Sequence, residues 1–300
     1  VFYIAYDPIY AHPLPEGHRF PMLKYELIPE QLLHEGLIGE ENLHSPAILE
    51  DEVALWTHEH DYYHRLKSLS LTPQEVRRIG FPLSQQLVER ELRIAQGTID
   101  GCMHALDYGL AFNVAGGTHH AGTNWGEGFC MLNDQAIAAN YLLKKGYTQK
   151  ILMIDLDVHQ GNGTAQIFAQ EPNVFTCSIH GEKNFPFRKE QSDLDIGLED
   201  GVGDEEYLIT ISHHLSLIFE HFCPDFVFYL SGVDILDTDK LGKLAVSKQA
   251  CKQRDRIVFE YCKNKGIPVQ VSMGGGYSPQ IKDIVEAHCN TFRVAMELYS

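Results

Sequence analysis

The sequence contains no Cys-x-x-Cys pair, no apolar stretch approaching membrane-spanning length, no linker rich in proline, glycine and serine, and few basic residues for its many acidic ones. Each absence removes a class of protein. Seven cysteines, Cys102, Cys130, Cys177, Cys223, Cys251, Cys262 and Cys289, are scattered and odd in number, which points to reduced, mostly buried thiols rather than a disulfide framework. The chain starts on the strand-like run "VFYIAYD", with no basic stretch leading a long apolar segment. Secretion and membrane insertion are therefore disfavoured, and a cytoplasmic, intracellular protein is expected. The 24 Lys and Arg residues against 41 Asp and Glu leave a net charge of −17. Such a surface is a poor match for a phosphate backbone, so nucleic acid is not an expected partner, and it would tend to draw in cations. Without a linker or a charge block to divide it, a chain of 300 residues that is 44% hydrophobic is expected to form one domain over 1–300.

Apolar runs of strand length recur at 1–6, 110–117, 151–158, 174–180, 226–235 and 268–277. Helical patterns lie between them. Residues 133–145 have Asn133 or Asp134 as N-cap and Gly146 as stop, and 207–222 repeat Leu208, Ile211, Leu215, Ile218, Phe219 and Phe222 at helical spacing. Ser247 is placed to cap a third helix that ends before Gly266 and Pro268. Strands that are continuously apolar and alternate with helices predict an α/β fold: an open, mostly parallel sheet with helices on both faces. Such sheets bind ligands beyond the carboxyl ends of their strands. The polar clusters "GGTHHAG", "DLDVHQGNG", "SGVDILD" and "GGGYS" all fall at such ends.

The run "ILMIDLDVHQGNG" sets Asp155, Asp157 and His159 at alternate positions, which in a strand would share one face. Asp157 and His159, with Asp234 from another strand end, offer two carboxylates and an imidazole to a divalent metal. Three protein ligands leave a position for water, as in catalytic zinc sites, although mixed oxygen and nitrogen ligation also suits iron(II) or manganese. Any one of these aspartates alone would more often cap a turn; the three together favour the metal. The pair His119–His120 at a strand end fits general acid/base work. Tyr277, behind Gly274–Gly276, is placed to reach a reacting carbonyl.

The five motifs "GGTHHAG", "GFCMLND", "DLDVHQGNG", "SGVD" and "GGGY", in this order, resemble the zinc-dependent histone deacetylases and their bacterial relatives, including acetylpolyamine amidohydrolases. The resemblance implies the arginase/deacetylase fold, in the short single-domain branch of the family. It implies that Asp157, His159 and Asp234 bind one Zn2+, that His119 and His120 are catalytic, and that Tyr277 hydrogen-bonds the acyl oxygen. Asp155 would pair with His119 and join Ser178, with Asp157, His159 and Ile179 nearby, around a structural K+. Gly128, Phe129 and Gly275 would line the acyl-lysine channel, and Phe187 its opposite wall. Arginases order their motif Asp-x-His-x-Asp; here the order is Asp-x-Asp-x-His, which favours one metal. Many members carry aspartate where this chain has Asn162, whose amide can orient His120 but cannot raise its pKa as a carboxylate would. No counterpart of the rim aspartate of larger members is visible. The implied activity is removal of acetyl or other acyl groups from lysine. The alternatives are an amidohydrolase for acetylpolyamines or other small acylated amines, for which an acidic mouth would be suitable, and an inactive acyl-lysine binding module.

Overall fold

A computed structural model describes residues 2–299. In chain order it begins with β1 (Tyr3–Ala5), α1 (Lys24–His34), β2 (Leu43–His44), α2 (Asp51–Ala54), α3 (His60–Lys67), α4 (Pro73–Ile79), α5 (Gln85–Tyr108) and β3 (Leu110–Asn113). There follow α6 (Asp134–Lys145), β4 (Ile151–Asp155), α7 (Asn162–Phe168), β5 (Val174–Gly181), β6 (Leu194–Leu198) and α8 (Asp204–His221). The chain closes with β7 (Phe226–Leu230), α9 (Lys248–Lys265), β8 (Val269–Ser272) and α10 (Ile281–Tyr299). Val1, at the head of the expected first strand, lies outside the described residues.

The eight strands form one sheet in the order β2-β1-β3-β8-β7-β4-β5-β6, and every pairing is parallel. The four central strands, β3, β8, β7 and β4, are buried along their whole length, which is why they read as unbroken apolar runs. Adjacent residues of β3 show that both faces are covered. Ala111 lies 3.6 Å from where a side chain on Gly101 of α5 would begin. Phe112 stacks on Phe292 of α10 with centroids 4.2 Å apart.

The expected caps are in place. Asn133 accepts from Ala136 N at 3.0 Å and Ser247 from Ala250 N at 3.1 Å, while Gly146 and Gly266 end their helices at φ 75° and 64°. The helix expected at 207 starts three residues earlier, because Asp204, Glu205 and Glu206 occupy its first turn and favour the positive end of the helix dipole.

Four of the expected strands, those that lead into the polar motifs, are too long at their carboxyl ends. They stop at Asn113, Asp155, Leu230 and Ser272, so the polar motifs are loops above the sheet and not continuations of it. That corrects the shared-face reading of Asp155, Asp157 and His159. Asp155 Oδ1 accepts from Asp157 N at 3.1 Å and Asp157 Oδ1 from His159 N at 3.0 Å, and these side-chain turns curl the backbone away from strand geometry.

Candidate metal and acyl-transfer site

Loops from the four adjacent central strands meet at one point: 114–133 after β3, 273–280 after β8, 231–247 after β7 and 156–161 after β4. Asp157, His159 and Asp234 are buried, with one ligand atom from each lying within 4.8 Å of the others. Asp157 is oriented by Gly275 N at 2.8 Å and Asp234 by Val158 N at 3.0 Å. A side chain on Gly275 would begin 2.0 Å from Asp234 Oδ2, so the glycine loop is compressed against the carboxylates and admits no Cβ. Burial, reinforced by the neighbouring Asp157, pushes the Asp234 carboxyl above the usual range. Two buried acids facing one imidazole are costly without a cation between them, and this donor set fits a divalent metal.

The tandem histidines lie beside this set, with ring centroids 4.1 Å apart. His119 Nδ1 is 2.6 Å from Asp155 Oδ2. Burial works against its charge, but Asp155 prevails and the pKa lies above the ordinary imidazole value. His120 Nδ1 is 2.7 Å from Asn162 Oδ1. Burial, followed by the charges of His119 and His159, holds its pKa well below the ordinary value. The tandem thus contains two imidazoles biased in opposite directions, His119 toward its charged form and His120 toward its neutral form.

The sequence reading reached Asn162 but not the groups behind it. Asn162 Nδ2 donates to Glu127 Oε1 at 2.5 Å, and Arg78 Nε donates to Glu127 Oε2 at 2.6 Å. It also missed two cations that hold the loops. Arg254, fully buried on α9, donates to the carbonyls of Gly232 at 2.6 Å, Leu156 at 3.3 Å and Ser231 at 3.3 Å, tying the loops that carry Asp157 and Asp234. Lys24, also buried, donates to Gly274 O at 2.8 Å, and burial draws its pKa down to about 8. Nothing in the sequence marked these residues, since each acts on backbone far along the chain.

Tyr277 stands over the site with its ring centroid 6.4 Å from that of His159, and Asp239 Oδ2 accepts from its backbone N at 2.6 Å. Burial and the charges of Asp234 and Asp157 raise its pKa well above the ordinary value, so the phenol keeps its proton. Phe129, at φ 69°, turns its ring into the entrance beside Phe20 and Tyr277, at centroid distances of 5.1 and 6.1 Å. Gly128 backs His120 so closely that a Cβ would lie 2.7 Å from the ring. On the other side it is Phe185 that faces His120, edge-on at 5.0 Å, whereas Phe187 is 89% exposed at the outer mouth. Asp155 and Ser178 stand in register on β4 and β5, with Ile179 buried next in line.

A groove of about 440 Å³ leads outward from His120, His159 and Tyr277, and Arg19, Arg78, Lys183 and Lys243 line it without a single carboxylate. Among the described residues no acidic mouth is therefore found: the nearest acids, Glu127 on Arg78 and Asp239 on the backbone of Tyr277, lie outside the groove lining. All seven cysteines are free, with Cys223 exposed and the others buried, and no described helix is long and apolar enough to cross a membrane.

An all-parallel sheet with a buried Asp, His and Asp set beside paired histidines at its carboxyl edge defines the arginase/deacetylase architecture. Within that architecture, the sequence model of the histone deacetylase domain matches residues 18–292, and the chain belongs to this family. An uncharacterized protein of Picosynechococcus sp. is 45% identical over 298 residues, covering 99% of both chains. Histone deacetylase 2 of Arabidopsis thaliana is 28% identical over 270 residues, covering 87% of this chain and 70% of that protein. The crystal structure of a histone deacetylase homolog complexed with SAHA superposes with a TM-score of 0.86 at 26% identity, over 99% of this chain and 84% of that one. A homolog from Aquifex aeolicus gives 0.83 at 25% identity, over 98% and 84%.

Proposed function

We propose that this chain is a metal-dependent amidohydrolase that removes acetyl or other acyl groups from lysine side chains, with Asp157, His159 and Asp234 holding one divalent cation, most simply Zn2+. The observation that supports it is the placement of His119 against Asp155 at 2.6 Å and of His120 against Asn162 at 2.7 Å, side by side with that ligand set. When bound, such a cation supplies Lewis acidity and lowers the pKa of water to near neutrality. The chain's own groups do the rest. The acyl-lysine stem passes between Phe129 and Phe185, and the Tyr277 hydroxyl donates to the acyl oxygen as it gains negative charge. His120 Nε2 takes one proton of the attacking water and delivers it to the lysine nitrogen as the C–N bond breaks, and the carboxylic acid so formed gives up the other proton to the amine, leaving a carboxylate and a lysine ammonium. His119, biased toward its charged form by Asp155, makes protonated His120 a stronger acid and so favours the second transfer.

In this reading Asp155 and Ser178, with Asp157, His159 and Ile179, hold a structural K+, and the whole chain acts as one intracellular deacetylase domain. A binding module would need neither Tyr277 nor both histidines, and an acetylpolyamine, itself cationic, is poorly matched to the basic groove. The deciding experiment measures metal content and turnover together on acyl-lysine and acyl-amine substrates. About one equivalent of metal and amide hydrolysis lost in Asp157→Ala are expected; full activity in metal-free protein would sink the mechanism.

A further inference from the structure

The groove outside the channel is basic on a protein whose acidic residues outnumber its basic ones by 41 to 24. Arg19, Arg78, Lys183 and Lys243 line it, and an adjoining groove that shares Arg19 and Tyr277 adds Lys240. Neither groove has a carboxylate in its lining. Arg78 is paired with Glu127 Oε2 at 2.6 Å, but the other cations are only weakly neutralised. Arg19 lies 5.0 Å over the Phe129 ring and has no carboxylate partner among the described residues. Lys183 meets Glu199 at 2.9 Å and Lys243 meets Asp200 at 3.9 Å, but all four side chains are exposed and both acids sit outside the groove. Ion pairs of that kind are readily exchanged for a ligand carboxylate.

Position decides which end of a substrate meets this charge. The acyl group lies inward, at the metal ligands and histidines, so the rim faces the amine side. Resting on the deacylase reading above, we propose that the rim selects acyl-lysine bearing negative charge on the amine side, beyond the channel, and selects against acylated polyamines. The carboxylate has two possible sources: acidic residues flanking the lysine in a peptide, or the α-carboxylate of free Nε-acetyl-lysine.

The test uses the zinc-loaded protein and blocked acetyl-lysine peptides with aspartate, serine or lysine flanks, together with free Nε-acetyl-lysine and acetylputrescine. The expected kcat/KM ranking is acidic, then neutral, then basic, with roughly a two- to fivefold gain per carboxylate at low salt. That gain should shrink as salt rises toward ~1 M, and acetylputrescine should be slowest. Free acetyl-lysine matching the acidic peptide assigns the α-carboxylate as the source; an advantage confined to the peptide assigns the flanks. The double variant Lys183→Glu with Lys243→Glu should reverse the order of acidic and basic peptides. Fluorescence anisotropy of labelled versions of the same peptides provides the ranking independently of turnover. Ranked binding without hydrolysis would overturn the deacylase reading and keep the rim's selectivity. Hydrolysis in which neither the acidic peptide nor free Nε-acetyl-lysine outpaces the neutral peptide, or with acetylputrescine fastest, would overturn the inference drawn here.

Discussion

Asn162 Nδ2 lies 2.5 Å from Glu127 Oε1, and that contact fixes which proton His120 carries. A carboxylate accepts only, so the amide must present its nitrogen to Glu127 and its oxygen to His120. His120 therefore donates from Nδ1 and leaves Nε2 unprotonated, facing the reacting centre. Replacing Glu127 with Gln removes this constraint, since an amide can either donate or accept. The expected result is a fall in kcat of about tenfold, the lower end of the range for groups that orient a catalytic or metal-binding imidazole, with KM little changed. Unaltered kcat would mean that packing alone holds Asn162.

A neutral amide at Asn162 leaves the pH range to burial and the neighbouring imidazoles. Burial and the neighbouring imidazoles hold the His120 pKa below the usual value, so its basic form survives at lower pH and the acid limb of kcat/KM should fall below ~6.5. Asn162→Asp places a carboxylate on Nδ1, favours the imidazolium and moves that limb upward. The shift should be larger with Glu127→Gln alongside, because two adjoining carboxylates would otherwise share a proton. A limb that stays fixed in both variants would show that another group controls it.

Arg254 supplies the charge under the ligand loops. Its partner Asp255 is fully buried and also accepts from Tyr229 at 2.5 Å and Thr291 at 2.9 Å. Arg254→Met leaves that carboxylate without its cation, at an expected cost of about 3–5 kcal/mol in a denaturant melt. Arg254→Met with Asp255→Leu should recover most of it. Equal losses in both would place the cost in the freed carbonyls of Leu156 and Gly232 instead.

These buried cations also mark where sequence reading stops. Asp157, His159, His119 and Tyr277 were legible because strand ends of a parallel sheet must converge, so separated motifs could be assembled without coordinates. What convergence does not reveal is the supporting layer: Arg254 and Lys24 bond to carbonyls, which carry no sequence identity. Helix α5 was missed because its core-facing stripe includes the ion pair of Arg90 and Glu91, which reads as surface although both are buried. Strand β6, half exposed at the sheet edge, lacks the apolar run of the central strands. Alternation misread the Asp155 stretch because side-chain acceptance of Asp157 N ended the strand.

Asp155 is buried, and that burial pushes its carboxyl above the usual range even beside His119. A monovalent cation between Asp155 and Ser178 would offset the cost. Thermal stability and turnover should be higher in potassium than in a bulky organic cation of equal ionic strength, with sodium between or equal. Indifference to all three would remove the cation from the mechanism.

Tyr277 separates an enzyme from a binder most directly. Its phenol stays protonated, its ring lies at the channel floor against His159 and Phe129, and its backbone is pinned by Asp239. Tyr277→Phe keeps the ring and its packing and deletes one donor aimed at the oxygen that gains charge. Removing such a donor costs roughly 100- to 1000-fold in turnover, about 3–4 kcal/mol. Metal content and peptide binding should change little, because in the proposed mechanism Asp157, His159 and Asp234 would hold the cation and the aromatic walls the lysine stem. A short neutral acetyl-lysine substrate keeps product release from masking the chemical step. Turnover equal to wild type would mean that the glycine loop aims the hydroxyl away from the acyl oxygen. A parallel loss of metal would instead show that Tyr277 supports the ligand loops, and the oxyanion role would then fall to other groups.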